Sequence, residues 1–191
     1  MSATTVAIMG STGSIGNQTL EIIENHPDEF EVIALGASRS VELLVEQAVR
    51  YKPKTVVISD TSLEKELRQK LPSQIEVTAG PESLTAASSL SDVVINGVVG
   101  FAGLPITLAA LEAGKRLGLA NKESLIAAGP LIQNFRSTRG AELIPVDSEH
   151  CAIHQCLGIN PNPESISRII LTASGGPFRG LSNEELLNVS I

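Results

Sequence analysis

The chain has 191 residues, 42% of them hydrophobic but only 3% aromatic, with no Trp. That suffices for one domain, or one and part of a second, with an aliphatic core of the kind that α/β layering packs. With 14 basic residues against 21 acidic and a net charge of −7, it lacks the basic face that nucleic-acid binding requires, and no apolar run is long enough to span a bilayer.

The opening Met-Ser-Ala-Thr-Thr-Val has no basic region and no long apolar stretch, so no signal peptide is expected. Cys151 and Cys156 do not form a CxxC pair. One bridge is an option, but a reduced, cytoplasmic protein is the expectation.

Residues 5–9 form a short apolar run ended by Gly10 and read as the first strand. A helix over 17–25 follows and stops at Pro27. Residues 31–35 are a second strand, and 41–51 a helix with apolar side chains at 41, 44, 45, 48 and 49. A third strand covers 55–59, a polar helix 63–71, and a weaker strand 74–78. Residues 93–99 read as a buried strand, followed by a Gly-rich turn and a helix over 105–113. A strand at 116–120, a helix over 124–136 interrupted near Gly129-Pro130, and a strand at 141–146 complete the series. Strands alternating with helices predict a Rossmann-like, doubly wound parallel sheet in the α/β class.

The pattern changes near residue 150. Domain one is expected over 1–149. Residues 150–191 carry a turn cluster at 160–163, an apolar strand over 167–173 and a short helical pattern, as if opening a second, α+β domain.

Four segments carry chemistry. Gly10-Ser-Thr-Gly-Ser-Ile-Gly16 follows a strand and opens a helix, so backbone amides can meet a pyrophosphate at a positive helix end. An ordinary Gly-rich turn is the plainer alternative. The second strand ends in Gly36-Ala-Ser-Arg-Ser40, without the acid that holds an NAD ribose. Arg39 between two hydroxyls suits a 2′-phosphate, hence NADP, or is a solvated surface residue. Asn121-Lys122-Glu123-Ser124 starts a helix. Asn121 or Ser124 is a capping candidate, and Lys122 a candidate fixed cation between cofactor and substrate. Asp147-Ser148-Glu149 places two carboxylates on a bending loop at a strand end, a partial Mg2+ or Mn2+ site or a helix cap. His150 and His154 stand four apart, but Cys151 occupies the position where a zinc helix carries Glu. Ser174-Gly175-Gly176 offers a phosphate cradle or a flexible turn.

Together these segments, with residues 120–125, 145–150 and 171–179, resemble the 1-deoxy-D-xylulose 5-phosphate reductoisomerase family, in family order across essentially the whole chain. The resemblance implies conversion of 1-deoxy-D-xylulose 5-phosphate to 2-C-methyl-D-erythritol 4-phosphate in isoprene biosynthesis, with NADPH and Mg2+ or Mn2+. It implies Thr12, Gly13, Ser14 and Ile15 at the pyrophosphate, and Ser38, Arg39 and Ser40 at the 2′-phosphate. Asn121 and Glu123 would contact the cofactor, and Lys122, Ser148, Glu149 and Ser174 the substrate. Asp147 and Glu149 would be metal ligands. The family is dimeric, so a homodimer is expected. Family members run to about twice this length, so the chain is expected to be an amino-terminal piece, inactive alone. The alternatives are another NADP-linked dehydrogenase domain and a nucleotide-binding, self-associating module without catalysis.

Overall fold

The structure is a computed structural model, and it describes residues 2–135, 137–158, 162–171, 176 and 178–190. Within it, two compact units divide the chain, Met1–Asp147 and Ser148–Ile191.

The first unit alternates strand and helix. Its elements are β1 (Thr4–Met9), α1 (Ser14–Asn25), β2 (Phe30–Ala37), α2 (Val41–Tyr51), β3 (Thr55–Ile58), α3 (Glu64–Lys70), β4 (Glu76–Ala79), α4 (Pro81–Ala87), β5 (Val93–Asn96), α5 (Leu104–Glu112), β6 (Arg116–Leu119), α6 (Lys122–Phe135) and β7 (Glu142–Pro145). The strands form one seven-stranded, all-parallel sheet in the order β4-β3-β2-β1-β5-β6-β7. The order reverses at β1, where one half of the chain builds outward through β2 and the other through β5. The Rossmann-like expectation therefore holds.

Alternation along each strand feeds two apolar layers. Val6, Ile8, Leu35, Val56 and Ile58 meet Leu20 and Ile23 of α1, Leu44 and Ala48 of α2, and Leu67 of α3. On the opposite layer, Ala7, Met9, Ala34, Val57 and Val94 meet Leu84 of α4, Ile106 and Leu111 of α5, and Ile132 of α6. The register of β1 against β2 shifts between Val6, paired with Val32, and Ala7, paired with Ala34. Ile33 is the extra residue. This bulge keeps Val32 and Leu35 in one layer although they stand three apart.

Several boundaries depart from the sequence reading. Residues 81–87 form a helix that apolar periodicity does not show, because only Leu84 and Ala87 need burial. The signal lies in Gly80-Pro81-Glu82, a proline at the first helical position followed by an acid. The strand expected over 93–99 ends at Asn96, whose side-chain oxygen accepts the Val98 N–H at 3.2 Å and turns the chain out of the sheet. In α6 the break falls at Ala128 (φ −133°), two residues before Pro130, whose ring obstructs the preceding turn.

The second unit holds α7 (Ser148–Leu157), a 3-10 turn at Pro163–Ser165 and α8 (Asn183–Leu186), which begins with a reciprocal Ser182–Glu185 capping box. Ser148 and Glu149 are therefore helical, in line with the helix-cap alternative for 147–149 and not with a bending loop. Of the strand expected over 167–173, residues 167–171 form none, and Thr172 and Ala173 lie outside the described residues. A strand exists only where its amides find a partner, and the second unit has no strand among its described residues. Cys151 and Cys156 are both unbridged.

Truncation of Leu35, fully buried on β2 beneath the helices, should cost about 2–5 kcal/mol as Leu35→Ala. Ile22→Ala, at a position 58% exposed, should stay within about 0.5 kcal/mol. Urea unfolding of both variants checks the contrast.

Candidate functional site

The strand reversal leaves a crevice beyond the carboxyl ends of β1 and β5, the place where open parallel sheets bind ligands. A cavity of about 520 Å³ lies there, lined by Gly10, Thr12 and Gly13 from the first loop, Ala37 and Ser38 from the end of β2, Ser59, and Gly97 to Val99 after β5. Pro81, Leu84, Phe101, Ala102, Pro105 and Ile106 give the wall an apolar side, with Glu82 and Thr85 beside them.

The first loop is anchored on β2, since the N–H groups of Gly10 and Ser11 both donate to the Gly36 carbonyl, at 2.8 and 2.9 Å. Gly10 turns the chain with φ +86°, and a side chain there would come within 2.9 Å of the Gly97 backbone. Gly16 packs against Ser11 so closely that a Cβ would lie 2.4 Å from its Cα and carbonyl oxygen. Loop and helix are thus pressed together by glycine at both ends. The helix α1 opens at Gly13 with no side-chain cap and no acid in its first turn. The leading amides of a helix have no partner inside it, so this end favours an anion.

Of the residues expected at the cofactor, Thr12, Gly13 and Ser38 line the cavity. Ser14 and Ile15 form the first turn of α1, and Ser40 stands at the N-cap of α2. Arg39 is 74% exposed at its side chain and pairs with Asp60, Nη1 to Oδ2 at 3.2 Å. Asp60 also accepts from the Ser62 hydroxyl and amide, at 2.6 and 3.0 Å. The Ser62 hydroxyl, then its amide, and the Arg39 charge hold this carboxyl below its ordinary value. Sequence reasoning missed Asp60. The Asp-x-Ser pattern after a strand signalled its capping role but not its partner across the loop.

Asn121 is 2% exposed, and all its side-chain capacity is used. Its Nδ2 donates to the carbonyls of Val98 and Gly100, and its Oδ1 accepts the Ser124 amide and hydroxyl, at 2.9 and 3.1 Å. It both caps α6 and ties down the loop after β5. On the other side of that loop, Asn96 donates to the Gly103 carbonyl at 2.8 Å and to Thr107 Oγ1 at 3.0 Å. Two buried amides thus hold residues 97–103, leaving Val99 85% and Phe101 68% exposed beside the cavity. The capping role of Asn121 was expected from the sequence, whereas its hold on the loop after β5, the support from Asn96 and the wall itself were not legible from motifs. Lys122 and Glu123 are exposed in the first turn of α6. Asp147 follows β7, and Glu149 lies in the first turn of α7. Among the described residues no three His, Cys, Asp or Glu side chains gather as a metal site. Ser174 lies outside the described residues.

Residues 6–129 match the family model of 1-deoxy-D-xylulose 5-phosphate reductoisomerase, and residues 143–191 match the model of that enzyme's C-terminal domain. The curated reductoisomerase of Chloroherpeton thalassium is 51% identical over 177 residues, covering 91% of this chain and 46% of its own. That of Phocaeicola vulgatus is 46% identical, covering 97% of this chain and 48% of its own. The solved reductoisomerase of Zymomonas mobilis in complex with NADPH superposes with a TM-score of 0.87 at 45% identity, over 98% of this chain and 50% of that one. A reductoisomerase structure with NADPH, fosmidomycin and magnesium gives 0.78 at 40% identity, over 82% of this chain and 39% of that one. The chain spans about half the length of the curated relatives it matches.

Because Asn121 satisfies two carbonyls of the cavity wall and caps α6, Asn121→Ala should destabilise the first unit by about 2–4 kcal/mol. Hydrogen exchange should accelerate most over residues 97–103, with β1 and β2 protected as before.

Proposed function

The chain belongs to the 1-deoxy-D-xylulose 5-phosphate reductoisomerase family, and from that premise we propose that its first unit binds NADPH and its second begins the catalytic domain. The observation that carries the cofactor reading is the uncapped N-terminus of α1 beside a glycine cradle at the strand reversal. The tight loop suits a pyrophosphate held on bare backbone, since a Cβ at Gly10 would strike the Gly97 backbone and one at Gly16 the Ser11 backbone. In this reading Thr12, Gly13, Ser14 and Ile15 surround that group, with Gly13 shaping the turn through its bond to the Gly10 carbonyl at 3.0 Å. Ser38, Arg39 and Ser40 hold the 2′-phosphate. A guanidinium has five N–H donors, so Arg39 can keep Asp60 and still reach an anion. Asn121 acts through the wall it supports, and Glu123 contacts the cofactor from the exposed start of α6.

For the reaction, the proposal is the family conversion of 1-deoxy-D-xylulose 5-phosphate to 2-C-methyl-D-erythritol 4-phosphate. NADPH supplies a hydride, and a Mg2+ or Mn2+ ion supplies Lewis acidity toward the substrate's oxygens. Asp147 and Glu149 are the ligands proposed for the ion, hard oxygens suited to a hard cation. Lys122, Ser148, Glu149 and Ser174 are the residues proposed to bind and orient the phosphosugar. Two carboxylates leave a divalent ion mostly hydrated, so cofactor binding without appreciable turnover is expected of these 191 residues by themselves.

A homodimer through the second unit belongs to the same reading. Ile169, Ile170 and Leu171 are 56%, 67% and 61% exposed and adjacent in sequence, and consecutive exposed aliphatic side chains favour self-association.

NADPH should bind more tightly than NADH. Arg39→Ala should weaken NADPH by about 1.5–3 kcal/mol, the scale of a charge-assisted contact, and leave NADH nearly unchanged. Fluorescence titration of the reduced cofactors decides this, and equal affinity in the unmutated chain contradicts the reading. In sedimentation velocity, Ile170→Lys should shift any dimer toward monomer without altering cofactor binding.

A further inference from the structure

One buried polar side chain is explained neither by the core nor by direct contact with the cavity. Gln47 lies on α2, 5% exposed, among Leu44 and Ala48, which are fully buried. Burying an amide in an aliphatic layer is costly unless its hydrogen bonds are made. Here only one end is served. Gln47 Nε2 donates to the Ser11 carbonyl at 2.9 Å and to Asn17 Oδ1 at 2.9 Å. Its Oε1, like Ser11 Oγ, is buried without a hydrogen-bond partner among the described residues. A half-served amide is a poor device for stability alone, because an apolar side chain of similar length fills the space without that cost.

What the donor end does is directional. Asn17, held by Gln47, points its own Nδ2 to the Thr12 carbonyl at 3.4 Å. The carbonyls of Ser11 and Thr12 are thereby held by side chains of α2 and α1. No peptide bond among the described residues is cis. In a trans peptide the carbonyl and the next N–H point in opposite directions. Holding the Ser11 carbonyl toward α2 therefore turns the Thr12 amide away from it. Holding the Thr12 carbonyl likewise fixes the Gly13 amide, which closes the turn on the Gly10 carbonyl at 3.0 Å. Thr12 and Gly13 both line the cavity. The helix carrying the donor is itself clamped to the sheet through Val41, Leu44 and Ala48, each at most 2% exposed. The direction of the loop amides is thus set from a rigid element outside the loop.

We propose that Gln47, acting through Ser11 and Asn17, is a positioning residue for the glycine-rich loop and sets the affinity for the dinucleotide pyrophosphate. The inference rests on the NADPH reading above. It assigns a binding role to a residue that touches no ligand and lies 36 residues from Ser11 in the chain.

The signature differs from that of Arg39. The pyrophosphate is common to NADPH and NADH, so loosening the loop must weaken both by the same factor. Gln47→Glu keeps the shape and removes the donor, and Gln47→Met keeps the length and removes both polar ends. Asn17→Ala removes the second prop while leaving α2 intact. Each 191-residue variant is titrated with NADPH and with NADH by cofactor fluorescence, which no Trp complicates, and its fold is followed by circular dichroism. The expected result is a dissociation constant raised about three- to tenfold for both cofactors, the scale of a lost hydrogen bond, in variants that remain folded. Unchanged affinity in any folded Gln47 variant overturns the proposal, as does a loss confined to NADPH. Should both Gln47 variants fail to fold, an unchanged affinity in Asn17→Ala overturns it equally. An unmutated chain that binds neither cofactor refutes the NADPH reading itself, and the inference falls with it.

Discussion

The close approach of Gly10 to Gly97 is the constraint on which the first unit depends. These glycines end the two neighbouring strands at which the sheet reverses direction, and Gly97 donates its N–H back to the Met9 carbonyl at 2.8 Å. One connection runs off toward β2, the other toward β5, so the space above the junction belongs to neither helix layer. A side chain at Gly10 would meet the Gly97 backbone. The crevice exists because that junction is thin, and the cavity, the exposed α1 N-terminus and the hydroxyls at the end of β2 all open onto it.

Around the junction, buried amides do what apolar side chains cannot. Asn96 and Asn121 stand on the two flanks of the loop after β5, and Gln47 stands under the loop after β1. Apolar packing is nondirectional and fixes only volumes. A loop whose backbone must face a ligand needs its carbonyls held at defined points, and that requires donors of fixed geometry. The same division is visible in composition, since the apolar layers are ordinary Val, Ile and Leu while Ser11, Asn96, Thr107, Asn121 and Ser124, all at most 2% exposed, gather around the carboxyl ends of β1, β5 and β6.

The second unit has a different physical character. Among its described residues none reaches full burial, and its aliphatic side chains at 169–171, 181, 186, 187 and 189 face outward. A stretch that reads as a strand from composition stays irregular where no partner strand is described. The chain covers about half the length of its curated relatives, and those relatives carry the reaction in molecules of twice this extent.

From sequence alone, the strands were legible because β-branched and aliphatic runs bounded by glycine have few other uses. The glycine-rich loop was legible too, because order along the chain (strand, glycines, helix) is itself the signal. Residues 36–40 likewise read as a strand end without an acid. What the sequence left undetermined were properties of proximity between distant segments. Asp60 becomes the partner of Arg39 only when β3 lies beside β2, Phe101 becomes a wall only when Asn121 pins its loop, and Gln47 becomes a prop only when α2 crosses beneath Ser11. The apolar run at 167–173 shows the converse, since a local pattern can call for a strand but only a neighbour can supply its hydrogen bonds. Periodicity reports what each segment must bury, whereas a directional contact depends on where the rest of the chain has gone, and that is decided by tertiary structure.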